Sequence, residues 1–325
     1  MIDSREILLS DLKKAQQSIY ELAERTPLVE SVPLSKEIGV SALLKLETAQ
    51  QTGSFKVRGA ANKLLNMTPE EKKRGVVAVS TGNHGRAVSF AAGKLGIPCQ
   101  VFLSKNVPEN KVQAIRDLGA GLTVTGNSYD EAFKAACDVV EEEGRILVPP
   151  FDDPYVISGQ GTIGLEILEA RPDIGTVIVP LSGGGLIAGI ALALKEANPD
   201  IKVVGVSMES GAAMYESLKR GRPVEVEELD TLADSLKGGI GLNNRYTFSM
   251  TQKYVDDLIL VNEAEIEEAL RYAFFNLRFV LEGGAAVGIA ALLAGKISSL
   301  SEPAAVVLSG RNVDMKTFQE VVTKC

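Results

Sequence analysis

The sequence predicts an α/β protein built on two parallel sheets, each with helices on both faces. Three observations carry this. Short apolar runs alternate with helix-like stretches at close spacing, the pattern of strands joined by crossover helices. Residues from about 75 to 150 complete one such series by themselves, so the residues before and after are left to build a second, larger sheet. A chain of 325 residues also has the length of two domains or one large one.

In order, "SREILLSDLKKAQQSIYELA" reads as a helix and "RTPLVESVPLS" as a loop. The strand "ALLKLE" leads into the turn "TGSFKVRG" and a helix that follows it. Next come the strand "GVVAVS", the turn "TGNHG" and the helix "RAVSFAAGKLG". Strands "PCQVFLS", "GLTVTG" and "RILVPP" alternate with helices "PENKVQAIRDLG" and "SYDEAFKAACDVVEEEG". The second half runs helix "GQGTIGLEILEA", strand "TVIVPL", loop "SGGG", helix "LIAGIALALKEA" and strand "KVVGVSM". The stretch from Gly221 to Phe248 is weakly patterned and reads as a surface excursion. Helices "EAEIEEALRYAFFNLRF" and "AAVGIAALLAG" and the strand "AAVVLSG" follow.

Composition narrows the functional classes. Apolar residues make up 45% and charged residues 23%, an ordinary globular balance. The net charge is −8, with no basic block interleaved with aromatics, which argues against a nucleic-acid surface. The three cysteines, Cys99, Cys137 and Cys325, are widely spaced and form no CxxC, which fits the cytoplasm better than an oxidising compartment. The first residues lack the apolar core of a signal peptide. The uncharged run Gly175–Leu194 is long enough to span a bilayer, but Pro180 and "SGGG" interrupt it, so strand, turn and buried helix are expected. His84 is the only histidine, which excludes His-rich metal sites.

In open parallel sheets a ligand sits at the carboxyl ends of the strands. Four strand-to-helix turns therefore matter. Lys56, in "TGSFKVRG", begins a helix, where the helix dipole and burial both disfavour an ammonium and leave a more nucleophilic amine. A solvated first-turn lysine is the plainer alternative. Ser80 to His84 present backbone N–H groups at a helix start, suited to a carboxylate or phosphate, with Asn83 adding a side-chain amide; a simple helix cap would look similar. Gly183, Gly184 and Gly185, in "VIVPLSGGGLIAG", form a phosphate cradle that no lysine follows, so it is not a P-loop. The spacing Gly183, Gly185, Gly189, with Glu209 near the next strand's end, also admits a nicotinamide dinucleotide site and an oxidoreductase. Ser309 ends the last strand, where its hydroxyl could face a ligand or cap a turn. One ligand uses all four turns: an aldehyde for Lys56, a ring hydroxyl for Asn83, a phosphate for the glycines and a ring nitrogen for Ser309. Pyridoxal 5′-phosphate has these groups, whereas a dinucleotide leaves Lys56 and Ser309 unexplained.

The motifs "TGSFKVRGA", "STGNHG", "SGQGTIGLEI", "PLSGGGLIAGIA" and "LSGRNVD", in this order over nearly the whole chain, resemble those of the fold-type-II pyridoxal-phosphate enzymes. The serine/threonine dehydratase and serine racemase branch is the nearest, with a weaker likeness to the dehydratases associated with hydroxyectoine use. The resemblance implies two three-layer domains, tryptophan synthase β-like: a large cofactor-binding domain of residues 1–72 and 153–325, and a small domain of residues 73–152. It implies Lys56 as the Schiff-base lysine, Asn83 at the ring hydroxyl, Ser182 to Gly185 at the phosphate and Ser309 at the ring nitrogen. Ser80, Thr81, Gly82, Asn83 and His84 would take the substrate carboxylate. It also implies a homodimer.

The sequence departs from the branch at several positions. Racemases carry a serine where this chain has Thr81, which speaks for elimination over racemisation. Ser207 and Ala213 stand where metal-activated relatives carry Glu and Asp, so no metal site is expected. Ser182 replaces the first of four glycines, and Arg311 replaces a glycine beside the cofactor. The expected function is an ammonia-lyase that removes water from a β-hydroxy amino acid of the serine/threonine type, with a racemase as the alternative on the same cofactor. The stretch from Leu232 to Gly241 is expected to shape the substrate pocket.

Overall fold

A computed structural model describes residues 6–80, 82–105, 109–127 and 129–324. Its strands are β1 (Leu28–Glu30), β2 (Ala42–Leu46), β3 (Val76–Val79), β4 (Cys99–Leu103) and β5 (Gly121–Val124), then β6 (Ile146–Leu147), β7 (Thr176–Pro180), β8 (Lys202–Met208), β9 (Asp257–Val261) and β10 (Ala304–Leu308). They form a six-stranded sheet in the order β1-β2-β10-β7-β8-β9 and a four-stranded sheet in the order β5-β4-β3-β6. Every pairing is parallel except β1 with β2. Ala304 of β10 lies opposite Ala42 on one side and Thr176 on the other, so the turns after β2, β7 and β10 open at the same edge of the larger sheet.

Strands that bury both faces read as unbroken apolar runs, and β3, β7 and β10 are buried throughout. On one face of the larger sheet, helices Glu263–Tyr272 and Gly283–Leu293 share a core with Leu44, Ile178 and Val306. Helices Pro154–Ala170 and Gly185–Ala197 cover the other, against Leu43, Val177 and Val307. The smaller sheet is covered on one side by helix Tyr129–Glu143 and on the other by helix Asn83–Leu95. Helix Lys56–Leu65 contributes Val57, Ala60, Ala61 and Leu64 to that second core, so the helix that begins with Lys56 packs into the smaller sheet although the chain reaches it from β2.

Three features differ from the sequence reading, and the uncharged run 175–194 agrees with it. The stretch read as a loop holds β1 and a short helix, Val32–Ile38, capped by the Ser31 side chain and ended by Gly39 at φ 74°. That serine–proline start and glycine stop were readable signals. Helix Pro154–Ala170 starts five residues before "GQGTIGLEILEA", because Asp153 accepts hydrogen bonds from the Tyr155 and Val156 amides. β9 has no clear sequence signal, because four of its five residues are only half-buried and its pattern is weak. The uncharged run 175–194 resolves into β7, the glycine loop and the start of helix Gly185–Ala197; among the described residues no helix is long and apolar enough to cross a membrane.

Three helices cross at close range and set the spacing of the site. A Cβ on Gly159 would lie 2.5 Å from the Arg58 carbonyl oxygen, and one on Gly189 would lie 2.5 Å from the Ile157 carbonyl oxygen. Helix Pro154–Ala170 is thereby clamped between the helix led by Lys56 and the helix led by Gly185. Behind Lys56 lies a closed set of charges. The Arg58 guanidinium, fully buried, donates to Glu47 at 2.8 and 2.9 Å and to Glu166 at 2.6 and 2.9 Å. Lys45 donates to Glu166 at 2.5 Å and to the Thr26 carbonyl at 2.6 Å. Two cations and two carboxylates balance, and the donors are matched, which is the condition under which buried ions are tolerated.

Two outcomes follow for stability. Gly159→Ala forces a methyl group against backbone, and should lower unfolding free energy by about 1–3 kcal/mol in a urea titration. Arg58→Met strands two buried carboxylates beside a single lysine, and should cost about 3–5 kcal/mol. Urea midpoints unchanged from the parent chain would contradict the packing described.

Candidate active site

Lys56 is the first residue of its helix, and the residue before it, Phe55, gives the helix no side-chain cap. Its Nζ donates to the Pro150 carbonyl at 2.8 Å and lies 5.2 Å from the Phe55 ring centroid. Burial pushes the amine down from the ordinary lysine value to about 8, and Glu282 pulls it part of the way back. Near neutrality a useful fraction is therefore uncharged, which a solvated lysine would not offer.

The Lys56 turn runs beside the turn after β10. The Phe55 amide donates to the Ser309 carbonyl at 3.0 Å, the Arg311 amide to the Gly53 carbonyl at 2.9 Å, and the Asn312 side chain to the Thr52 carbonyl at 2.8 Å. Ser309 is thus held within one residue of Lys56 in this pairing, and it is buried. Ser54, next to Phe55, is fully buried with a hydroxyl that has no partner.

The second turn starts helix Asn83–Leu95. Its cap residue, Gly82, supplies no side chain, so the first-turn N–H groups stay open. Gly85 is required there because a Cβ would strike the Ser80 carbonyl oxygen. The Asn83 amide donates to both oxygens of Glu282, at 2.7 and 2.9 Å, and its carbonyl accepts from Asn312 at 2.6 Å. Asn83 therefore meets the Ser309 turn directly. His84 is committed elsewhere: it is buried and lies 2.8 Å from the Val148 carbonyl, to which Nε2–H must donate. Burial, with Lys56 nearby, pushes its pKa down to about 3, so the ring is neutral. Its backbone N–H, not its ring, is what the turn presents. Thr81 lies outside the described residues.

The third turn, Ser182–Gly185, leads into helix Gly185–Ala197. Gly184 is the cap at φ 89°, with no side-chain acceptor, so the helix N-terminus is open to an anion. Side chains pack the loop from outside. A Cβ on Gly183 would enter the Phe151 ring, and one on Gly184 would lie 2.7 Å from Met214 and 3.0 Å from Thr247. Pro150 and Phe151 thus join Lys56 to the glycine loop. The next residue, Asp152, accepts from the amides of Arg245, Tyr246 and Thr247 at 2.7, 2.9 and 2.9 Å, capping helix Thr247–Tyr254.

All four turns therefore belong to one crevice. The donor set fits an aldehyde-bearing pyridine phosphate: an enclosed amine, an uncapped helix N-terminus on a glycine cradle, and buried polar groups between them. Sequence reasoning missed Glu282, Asn312, Arg86 and Phe151. Only Glu282 carried a signal, as a lone acid between the apolar runs "RFVL" and "GGAAVGIAALL". The stretch 232–241 packs beside it, since a Cβ on Gly283 or Gly284 would meet the Leu232 carbonyl or the Ser235 hydroxyl. Glu209, the candidate ribose-binding acid, pairs with Lys296 at 3.5 Å. Among the described residues no cluster of three His, Cys, Asp or Glu side chains could hold a metal.

Residues 19–310 match the family model described as pyridoxal-phosphate dependent enzyme. The chain is 43% identical over 318 residues to an L-threonine ammonia-lyase of Thermotoga maritima, covering 98% of this chain and 79% of the relative. It is 38% identical over 317 residues to a catabolic L-threonine dehydratase of Escherichia coli, covering 97% and 96%. Its structure is similar to that of maize serine racemase, with a TM-score of 0.91, 33% identity and 97% of each chain covered.

Uptake of pyridoxal phosphate by the cofactor-free protein needs an uncharged Lys56. Its rate, followed by absorbance, should rise with pH through a midpoint near 8. Glu282→Gln removes the carboxylate that raises the amine and should shift the midpoint lower. A midpoint at the ordinary lysine value would contradict the enclosure of Lys56.

Proposed function

The chain belongs to the pyridoxal-phosphate dependent enzyme family, and on that premise we propose that it is an ammonia-lyase which removes water from a β-hydroxy amino acid and releases a 2-oxo acid and ammonia. The observation that carries this reading is the enclosed Lys56 amine, its pKa brought to about 8 within a crevice shared by Asn83, Ser309 and the glycine loop. The L-threonine ammonia-lyase and dehydratase relatives, similar along almost the whole chain, support the choice of reaction.

When bound, the cofactor supplies a sink for the electrons left on the α carbon. The placement of the residues supports the following roles. Lys56 would hold the aldehyde, and its amine, once displaced by substrate, would take the α proton. Amide N–H groups of Ser182 to Gly185 and the helix behind them hold the phosphate. Asn83 lies at the ring hydroxyl, held in place by Glu282 and Asn312. Ser309, buried at the end of β10, would be the group at the ring nitrogen, and a hydroxyl there, unlike a carboxylate, would not hold a proton on that nitrogen. Such a serine would suit loss of the β hydroxyl better than transamination. The open N–H groups at the start of helix Asn83–Leu95, in the turn that includes Ser80, Gly82, Asn83 and His84, would take the α-carboxylate. Neutral His84 donates to Val148 and cannot be the acid that protonates the leaving hydroxyl; the Lys56 ammonium can return the proton it took. The net reaction breaks the α C–H and β C–O bonds, and water then releases ammonia from the enamine. Cys99 and Cys137 are free thiols, which supports a reducing compartment.

Lys56→Ala should abolish the visible absorbance of the loaded protein and reduce oxo-acid release from L-serine and L-threonine by at least a thousandfold, roughly the scale of losing a covalent catalyst and base together. Retained turnover in that variant would end the assignment. Inversion of optical configuration without oxo-acid release would favour the racemase instead.

A further inference from the structure

Arg86 follows Asn83 by three residues on helix Asn83–Leu95, so the two side chains share a helix face. That face meets the turn after β10: the Arg86 Nη1 donates to Asn312 Oδ1 at 3.1 Å, and Asn312 donates to Asn83 Oδ1 at 2.6 Å. Arg86 is half-buried, and among the described residues it makes no ion pair. The carboxylate that acts on it is Glu282, whose two oxygens already accept from Asn83. Burial lowers the pKa of the guanidinium, and Glu282 offsets part of this. Five donors in a planar fork thus meet a single neutral acceptor beside the reaction centre, although such a fork is matched to a carboxylate. Arg311 precedes Asn312 and is exposed, adding a second positive charge at the same corner and a field that draws anions in.

We propose that Arg86 selects substrates carrying a second carboxylate, so that the preferred class is the β-hydroxy amino diacids. This rests on the lyase reading above. In that reading the α-carboxylate is already held by backbone N–H groups at the helix start, which leaves the Arg86 fork for a carboxylate on the substrate side chain. Half-buried and, among the described residues, without a carboxylate in direct contact, since Glu282 acts on it only from a distance and already accepts from Asn83, the guanidinium gains from a ligand that supplies one.

The test compares 3-hydroxyaspartate with L-threonine on the loaded enzyme, by oxo-acid release. The expected result is a higher kcat/KM for 3-hydroxyaspartate, and a fall of roughly tenfold to a hundredfold in that preference in Arg86→Gln. A second readout needs neither turnover nor a variant: succinate should raise the melting temperature of the parent protein, and butyrate at equal concentration should not. The proposal is overturned if L-threonine turns over and the diacid is not preferred, if Arg86→Gln slows both substrates by the same factor, or if succinate and butyrate act alike. No oxo acid from either amino acid would count against the lyase reading, and the succinate shift would still decide the role of Arg86.

Discussion

Lys56 occupies a position where a positive charge is costly, the start of a helix and withdrawn from water, and only one carbonyl and one aromatic ring are there to compensate. Water that would solvate an ammonium has been replaced by groups too few to do the same, so the amine sheds its proton more readily. Glu282 limits the effect. The balance between desolvation and that one carboxylate decides how much of the amine is reactive, and the surrounding architecture serves to hold the balance still.

That stillness comes from behind the site. Arg58 lies two residues further along the same helix, and it and the charges around it are buried. They add little net stability against an apolar alternative of the same shape, but they allow few arrangements, because each donor must meet its acceptor. Glycines at the helix crossings do the complementary work, bringing backbones so close that the helices cannot slide. The crevice lies at the ends of two such clamped helices, and an open helix N-terminus that holds an anion well has to be aimed as well as exposed.

Much of this was legible in the sequence, for a definite reason. Lys56, Asn83, the glycine loop and Ser309 stand at strand-to-helix junctions, where local chain geometry alone limits which residues fit. The layered fold was legible too, because buried parallel strands leave unbroken apolar runs. Asn312, Arg86 and Phe151 were not, because their importance comes from contacts across the crevice: Arg86 reaches Asn312 across 226 positions, and nothing local marks either residue. His84 shows the converse. It stands out as the only histidine, yet its ring bonds to the backbone at Val148, and burial with Lys56 nearby keeps it neutral. β9 escaped notice because half-exposed strands keep a mixed pattern.

Residues 150–153 carry four consecutive duties. The Pro150 carbonyl meets Lys56, the Phe151 ring fills the space behind the glycines, and Asp152 and Asp153 close the ends of two different helices. Each neighbour lies in a different direction, and the peptide between them has no spare length. An inserted or deleted residue would shift every one of these partners by one position at once. Drift within this segment is therefore confined to exchanges of side chain, and the number of links between β6 and the following helix is the quantity that descendants of this chain must inherit unchanged.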